Sequence, residues 1–208
     1  MAETYDLILD SSRLGIAMGL YSNAENYEIY DHEARGESVN RLLDTLLLQA
    51  STSLENIHRV MVTLGPGSFT GLRNGIAYAQ GLCFSGKREL YGVSTLQALS
   101  AQAKNPAESL VIIKARPEHW YLRKQGEESF LSTTELLKKL SEAPQSTTIL
   151  GDLHAQTQTE IQNKISQQQQ HFELIEDKNI SKFRVFFDTL VPSLVQEANY
   201  IQASYAQI

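Results

Sequence analysis

Residues Arg59–Phe84 read RVMVTLGPGSFTGLRNGIAYAQGLCF. The stretch opens on an apolar run, Arg59 to Leu64, that reads as a strand. It closes on a helix from about Thr70 to Phe84, with Leu72, Ile76, Ala79 and Cys83 on its core face. Between them lies the glycine-rich loop Gly65-Pro66-Gly67-Ser68-Phe69-Thr70-Gly71. A strand that feeds a helix through such a loop marks an α/β protein. The loop has two readings. It is a tight structural turn, or its backbone N–H groups and the helix N-terminus face an anion. No complete nucleotide motif supports the second. A dinucleotide fingerprint needs G-x-G-x-x-G, and Gly71 comes one residue late. A nucleophile elbow needs G-x-S-x-G, and Pro66 stands where its first glycine belongs relative to Ser68. Gly81 to Lys87 fits G-x-x-x-x-G-K, but Arg88 replaces the Ser/Thr and the segment ends a helix.

Upstream, Val39, Leu42, Leu43, Leu46, Leu47 and Ala50 fall on one face of a helix. Before it, Tyr5–Leu9, Gly15–Tyr21 and Tyr27–Tyr30 read as an antiparallel meander, because the turns are too short for parallel crossovers. Downstream, Leu90–Val93 is a strand, and Ser94-Thr95-Leu96-Gln97 is a capping box that opens a helix to about Ala103. Lys104-Asn105-Pro106 breaks the chain and divides it into lobes of residues 1–105 and 106–208. The order then repeats more weakly. Leu110–Ala115 and Trp120–Lys124 form a hairpin, and Ser132-Thr133-Thr134-Glu135 caps a helix to about Leu140. Thr147–Leu150 is a strand, 154–165 a polar helix, Phe172–Ile175 a strand and Ser181–Val191 a helix. Two similar α/β lobes are expected; a single doubly wound sheet is the rival arrangement.

The 208 residues can bury roughly 70% of their unfolded surface, so no metal or disulfide staple is needed. Eighteen basic against 24 acidic residues give a net charge of −6, which disfavours a protein that coats polyanions by itself. The single cysteine, Cys83, allows no internal disulfide and fits a reducing compartment. No secretory signal and no apolar run of about 18 residues is present, so the expected location is the cytoplasm, with no membrane partner.

Residues that could do chemistry are few. Asp10-Ser11 at the end of the first strand could position a metal or phosphate, or Asp10 could cap the turn. Among His32, His58, His119, His154 and His171 no two have metal-pair spacing. His119-Trp120 could stack on a base or pack internally. Cys83 reads as a buried, inert thiol. Glu127-Glu128 and Glu173/Glu176-Asp177 read as solvated acidic loops. No catalytic set, metal site or cofactor site emerges.

Val62–Ala77 resembles the signature of the TsaB family, as does Tyr91-Gly92-Val93-Ser94-Thr95-Leu96-Gln97-Ala98-Leu99 after it. Asp10-Ser11-Ser12 is similar to that family's first-strand turn, and Ala115-Arg116 to its second-lobe Asp-Ala-Arg element, with Lys114 in place of the Asp. The resemblance implies a two-lobed actin/sugar-kinase/chaperone-ATPase fold with ribonuclease H-like lobes. It also implies a non-catalytic scaffold in the formation of threonylcarbamoyladenosine beside the tRNA anticodon. Such a scaffold pairs with a TsaD-like catalytic subunit, and a TsaE-like ATPase subunit docks on the pair. Contact with tRNA is then indirect. The histidine pair of TsaD-type proteins has no counterpart in Gly36-Glu37-Ser38-Val39-Asn40.

Gly71, Gly75, Ala77, Ala79 and Gly81 make the second helix small-sided. Interior helix glycines each cost about 1 kcal/mol relative to alanine, and close packing would explain them. They pack on the protein's own sheet or on a partner. With the resemblance, the pairing surface is expected at Leu43, Leu47, Arg73, Ala77, Tyr78 and Gly81. A patch of this kind would also drive a homodimer when the chain is alone. The competing expectation is a stand-alone phosphotransferase or ATPase of the same fold.

Overall fold

Strand β1 (Tyr5–Asp10) is buried along its whole length, as is β2 (Ile16–Tyr21). Continuous apolar sequence rather than alternation is what a strand covered on both faces requires. β2 pairs antiparallel with β1, placing Leu7 opposite Leu20 and Leu9 opposite Met18. β3 (Asn26–Asp31) adds an antiparallel edge on β2. β4 (Ile57–Thr63) joins the other side of β1 in parallel, and β5 (Glu89–Val93) follows in parallel on β4. The sheet order is β3-β2-β1-β4-β5. Helices α1 (Val39–Gln49) and α2 (Phe69–Cys83) bury Leu42, Leu46, Leu72, Ile76 and Ala79 with Leu7, Leu9, Met18, Val60 and Val62 of the sheet. α1 stops where Ser51 turns left-handed (φ 49°), with Thr52 N–H returning to Leu47 O at 3.0 Å. α3 (Thr95–Ser100) is shorter than expected, and its first turn is tied by Gln97 N–H to Ser94 Oγ at 3.4 Å.

The computed structural model describes residues 3–152, 161, 163, 165–167, 170–175 and 179–201. Contacts divide the chain into two units, 1–98 with 177–199 and 99–176 with 200–208. The first crossing lies near the expected boundary at 105, but the chain returns, so the units are not the two continuous lobes read from the sequence. The second unit repeats the sheet of the first. β6 (Leu110–Arg116), β7 (His119–Lys124) and β8 (Glu127–Ser132) form the antiparallel part. β9 (Thr148–Asp152) and β10 (His171–Leu174) continue in parallel from β6. The order β8-β7-β6-β9-β10 is the first sheet's order again. The chain thus holds two five-stranded sheets of one order, not a single doubly wound sheet.

Helix α4 (Thr133–Ser141) starts at the expected capping box. Glu135 N–H donates to Ser132 Oγ at 3.3 Å, and Ser132 N–H donates to Glu135 Oε2 at 2.8 Å. Its Leu136 and Leu140 join Leu110, Ile112, Trp120, Leu122 and Ile149 in the second core. Two readings change. Glu127-Glu128 opens β8 rather than a loop, and Glu128 pairs across the strands with Arg123 at 3.0 Å. The expected C-terminal α-helix is a 3₁₀ helix, Ile180–Asp188, whose Ile180, Phe183 and Phe187 are buried in the first unit. β-branched and phenylalanine residues are poor α-helix formers, and three-residue spacing puts Ile180 and Phe183 on one edge. The polar helix expected over 154–165 lies largely outside the described residues.

Candidate functional site

Asp10 ends β1 with its carboxylate buried. Its Oδ1 accepts from Ser12 N–H (2.9 Å), Ser12 Oγ (2.6 Å) and Thr63 Oγ1 (2.8 Å), and its Oδ2 faces Arg13 Nη2 at 3.4 Å. Both oxygens are engaged by the chain itself, which is the geometry of a turn cap. The turn it holds receives the glycine-rich loop. Ser68 N–H donates to Ser12 O at 2.6 Å, and Ser11 Oγ donates to Gly71 O at 2.9 Å. Ser68 also caps α2, accepting from Gly71 N–H at 3.2 Å. A Cβ on Gly67, Gly71 or Gly75 would run into Ser12 O, Ser11 O or Ser11 Oγ respectively. These glycines therefore let α2 and its loop lie directly on the β1–β2 turn. Gly65 adopts φ +105°, a conformation open to glycine, and its carbonyl accepts from Thr95 N–H at 2.8 Å. Gly65 and Pro66 are buried and Gly67 and Gly71 press on the β1–β2 turn, whereas Ser68 at the start of α2 is exposed. Phe69 and Thr70 are the first residues of α2.

The residues expected to pair with a partner fall into two groups. Leu43 is 3% exposed and belongs to the core, so it is not part of any surface. Leu47 and Tyr78 are half-buried against that core. Burial, reinforced by the Asp44 carboxylate, pushes the Tyr78 hydroxyl up to about 12. Arg73, Ala77 and Gly81 are exposed, and at four-residue spacing they share one stripe of α2. A Cβ on Gly81 would meet nothing within 4 Å. Phe69 begins the stripe at 58% exposure, with the Arg73 guanidinium 5.3 Å from its ring centre. Phe84 ends it at 80% exposure, as exposed as Leu48 on α1. The four-residue spacing from Phe69 would have revealed this stripe had Phe69 not been assigned to the loop. A strip with small residues in the middle and rings at the ends admits a second helix at close range.

The remaining candidates are structural. Burial pushes the Cys83 thiol up to about 11, against a smaller opposite pull from Arg88. Trp120 is buried with Nε1 donating to Thr133 Oγ1 at 3.0 Å, and His119 stacks on Phe130 at 4.9 Å. Lys114 lies 4.2 Å from the Trp120 ring centre, so the residue in place of an expected Asp serves as a packing cation. Among the described residues no three His, Cys, Asp or Glu side chains come together to hold a metal ion, and no helix is long and apolar enough to cross a membrane.

The YeaZ structure from Pseudomonas aeruginosa has the same fold, with TM-score 0.69 and 20% identity over 95% of this chain and 99% of that one. The tRNA threonylcarbamoyladenosine biosynthesis protein TsaB of Buchnera aphidicola subsp. Schizaphis graminum is 26% identical over 162 residues, 70% of this chain and 77% of that protein. The protein of the same name from Escherichia coli is 32% identical over 116 residues, 53% of this chain and 50% of its own length. The family model described as TsaD, tRNA N6-adenosine threonylcarbamoyltransferase, matches residues 32–204. That span takes in most of the chain, which therefore belongs to the TsaD family, and its curated homologues over much of the chain carry the name TsaB.

Proposed function

We propose that this chain is a non-catalytic subunit in the formation of threonylcarbamoyladenosine on tRNA, pairing with a TsaD-like catalytic subunit through the exposed stripe of α2. The observation that carries the reading is that stripe: Arg73, Ala77 and Gly81 exposed between Phe69 and Phe84, with Leu48 exposed on α1. Removing those apolar side chains from water is the driving force, at about 25 cal/mol per Å². The names of the curated relatives supply the pathway. The buried Gly65-Pro66 turn and the capped Asp10 support a structural role for the two elements that a phosphotransferase of this fold would turn toward its substrate. The TsaE-like ATPase docks on the assembled pair, tRNA is reached through the partner, and the isolated chain self-pairs through the same stripe. Leu43 is left out of the surface, while Leu47 and Tyr78 support it from beneath.

The test is reconstitution. A TsaD-like subunit supplied with the other pathway components modifies tRNA when this chain is added and fails without it; equal yield in both reactions overturns the proposal. Titration of the isolated chain with ATP and magnesium separates the alternative, since micromolar binding belongs to a phosphotransferase.

A further inference from the structure

We propose that the pairing surface continues from the α2 stripe onto the C-terminal strap, residues 189–199, and that the TsaD-like subunit seated on the stripe also packs on Leu194 and Val195. The inference rests on the pairing proposed above and names a second element in it.

The path of the strap places it there. The 3₁₀ helix Ile180–Asp188 brings Phe187 edge-on to Tyr91 of β5. Leu90, the neighbour of Tyr91, belongs to the core shared with α1 and α2. Successive strand residues face opposite sides of a sheet, so Phe187 lies on the face away from α2. The chain then rounds the edge strand β5, where Ser193 N–H donates to Leu90 O at 2.8 Å. It ends on the α2 side. Gln80 Nε2 donates to Gln196 O at 3.1 Å, Ala198 packs against the first core, and Asn199 N–H donates to Leu64 O at 2.7 Å. At about 100° per residue, Gln80 falls between the exposed Phe69, Arg73 and Phe84 and the buried Ile76 and Cys83. The strap therefore borders the stripe on that flank. α1 borders the other, where Asp44 acts on Tyr78.

The strap is also apolar toward water. Residues 189–196 read TLVPSLVQ and hold no charge. Val191 is 85% exposed, Val195 71%, and Leu194 is exposed beside them. A segment that only covered a sheet edge would show charge to solvent. Next to a stripe that runs from Phe69 to Phe84, these side chains enlarge one exposed apolar surface. The stripe needs the enlargement. A helix of 15 residues is about 22 Å long and about 10 Å wide, so one face offers on the order of 220 Å². A stable interface takes roughly 800 Å² from each partner. A subunit seated on the stripe must spread over its flanks, and on this flank it meets Leu194 and Val195. The partner face that fits there is apolar, because the strap offers no charge to answer one.

The experiment measures binding of a TsaD-like subunit to the full chain by isothermal titration. Val195→Asp should weaken binding by about tenfold at unchanged thermal midpoint. In the wild-type complex the amides of residues 193–196 should gain protection from hydrogen exchange. Val185→Asp is the control. Val185 is exposed too, but it sits in the 3₁₀ helix on the other face of the sheet, and its substitution should leave affinity unchanged. If Ala77→Arg abolishes pairing while Val195→Asp binds like the wild type, or while Val185→Asp weakens binding as much as Val195→Asp, the strap is overturned and the stripe stands. No binding by the wild type, or pairing that survives Ala77→Arg, overturns the stripe and the strap with it. A Val195→Asp chain that loses only self-pairing assigns the strap to a second copy and overturns the proposal.

Discussion

Gly71 and Gly81 occupy the same helix in opposite settings. At Gly71 a Cβ would press into the backbone carbonyl of Ser11, whereas at Gly81 it would meet open space. Gly71→Ala should therefore destabilise the chain by roughly 1–3 kcal/mol as overpacking against backbone. Gly81→Ala should stabilise it by up to about 1 kcal/mol through helix propensity; urea midpoints measure both. The sequence could not separate these positions, because a glycine carries no side chain to announce what lies opposite. Asp10 was ambiguous for the same reason: its role depends on Thr63 arriving from β4. Cys83, by contrast, was legible from helical spacing alone. Its thiol is raised from 9.0 to about 11, so the unfolded chain loses that proton first as pH rises. The burial of neutral Cys83 thus contributes full stability below about pH 9, and the contribution falls as pH climbs toward 11. Cys83→Ser measured from pH 8 to 11 should show a shallower alkaline loss than the wild type. Native Cys83 should react with a thiol reagent at pH 8 only at the rate of unfolding; labelling at the rate of a free thiol would contradict its burial.

Among elements, α1, α2, α4 and most strands were readable because their apolar spacing and caps agree with their tertiary setting. Ser132 shows this well, with both halves of its capping box formed. Ser132→Ala should cost about 1 kcal/mol, read from thermal or urea unfolding. β8 escaped notice because two adjacent acids open it, and the Arg123 that answers Glu128 comes from the neighbouring strand. The 3₁₀ helix Ile180–Asp188 was misread as α because its buried residues fit both periods. Exposure of the α2 stripe makes a further prediction at this scale. The isolated chain should dimerise with rising concentration, and Ala77→Arg should keep it monomeric at unchanged thermal midpoint, as sedimentation would report.

For the whole molecule, the repeated sheet order was anticipated by the repeated element order, but the return of the C-terminal segment was not. Phe187 is buried in the first unit, edge-on to Tyr91 at 5.2 Å and beneath the Arg59 guanidinium at 4.6 Å. Further along, Ser193 N–H reaches Leu90 O at 2.8 Å and Asn199 N–H reaches Leu64 O at 2.7 Å. These are partners that no local pattern encodes. Phe187→Ala should cost about 3–5 kcal/mol, and urea unfolding followed at residues of the first sheet would register it. The central claim is that a chain whose Asp10 is capped by its own turn works through an outward-facing helix. Sedimentation of this chain mixed with a TsaD-like subunit tests that claim most directly. The wild type should form a heteromeric species, and a folded Ala77→Arg chain should sediment apart from the subunit. An Ala77→Arg chain that pairs as well as the wild type would contradict the account.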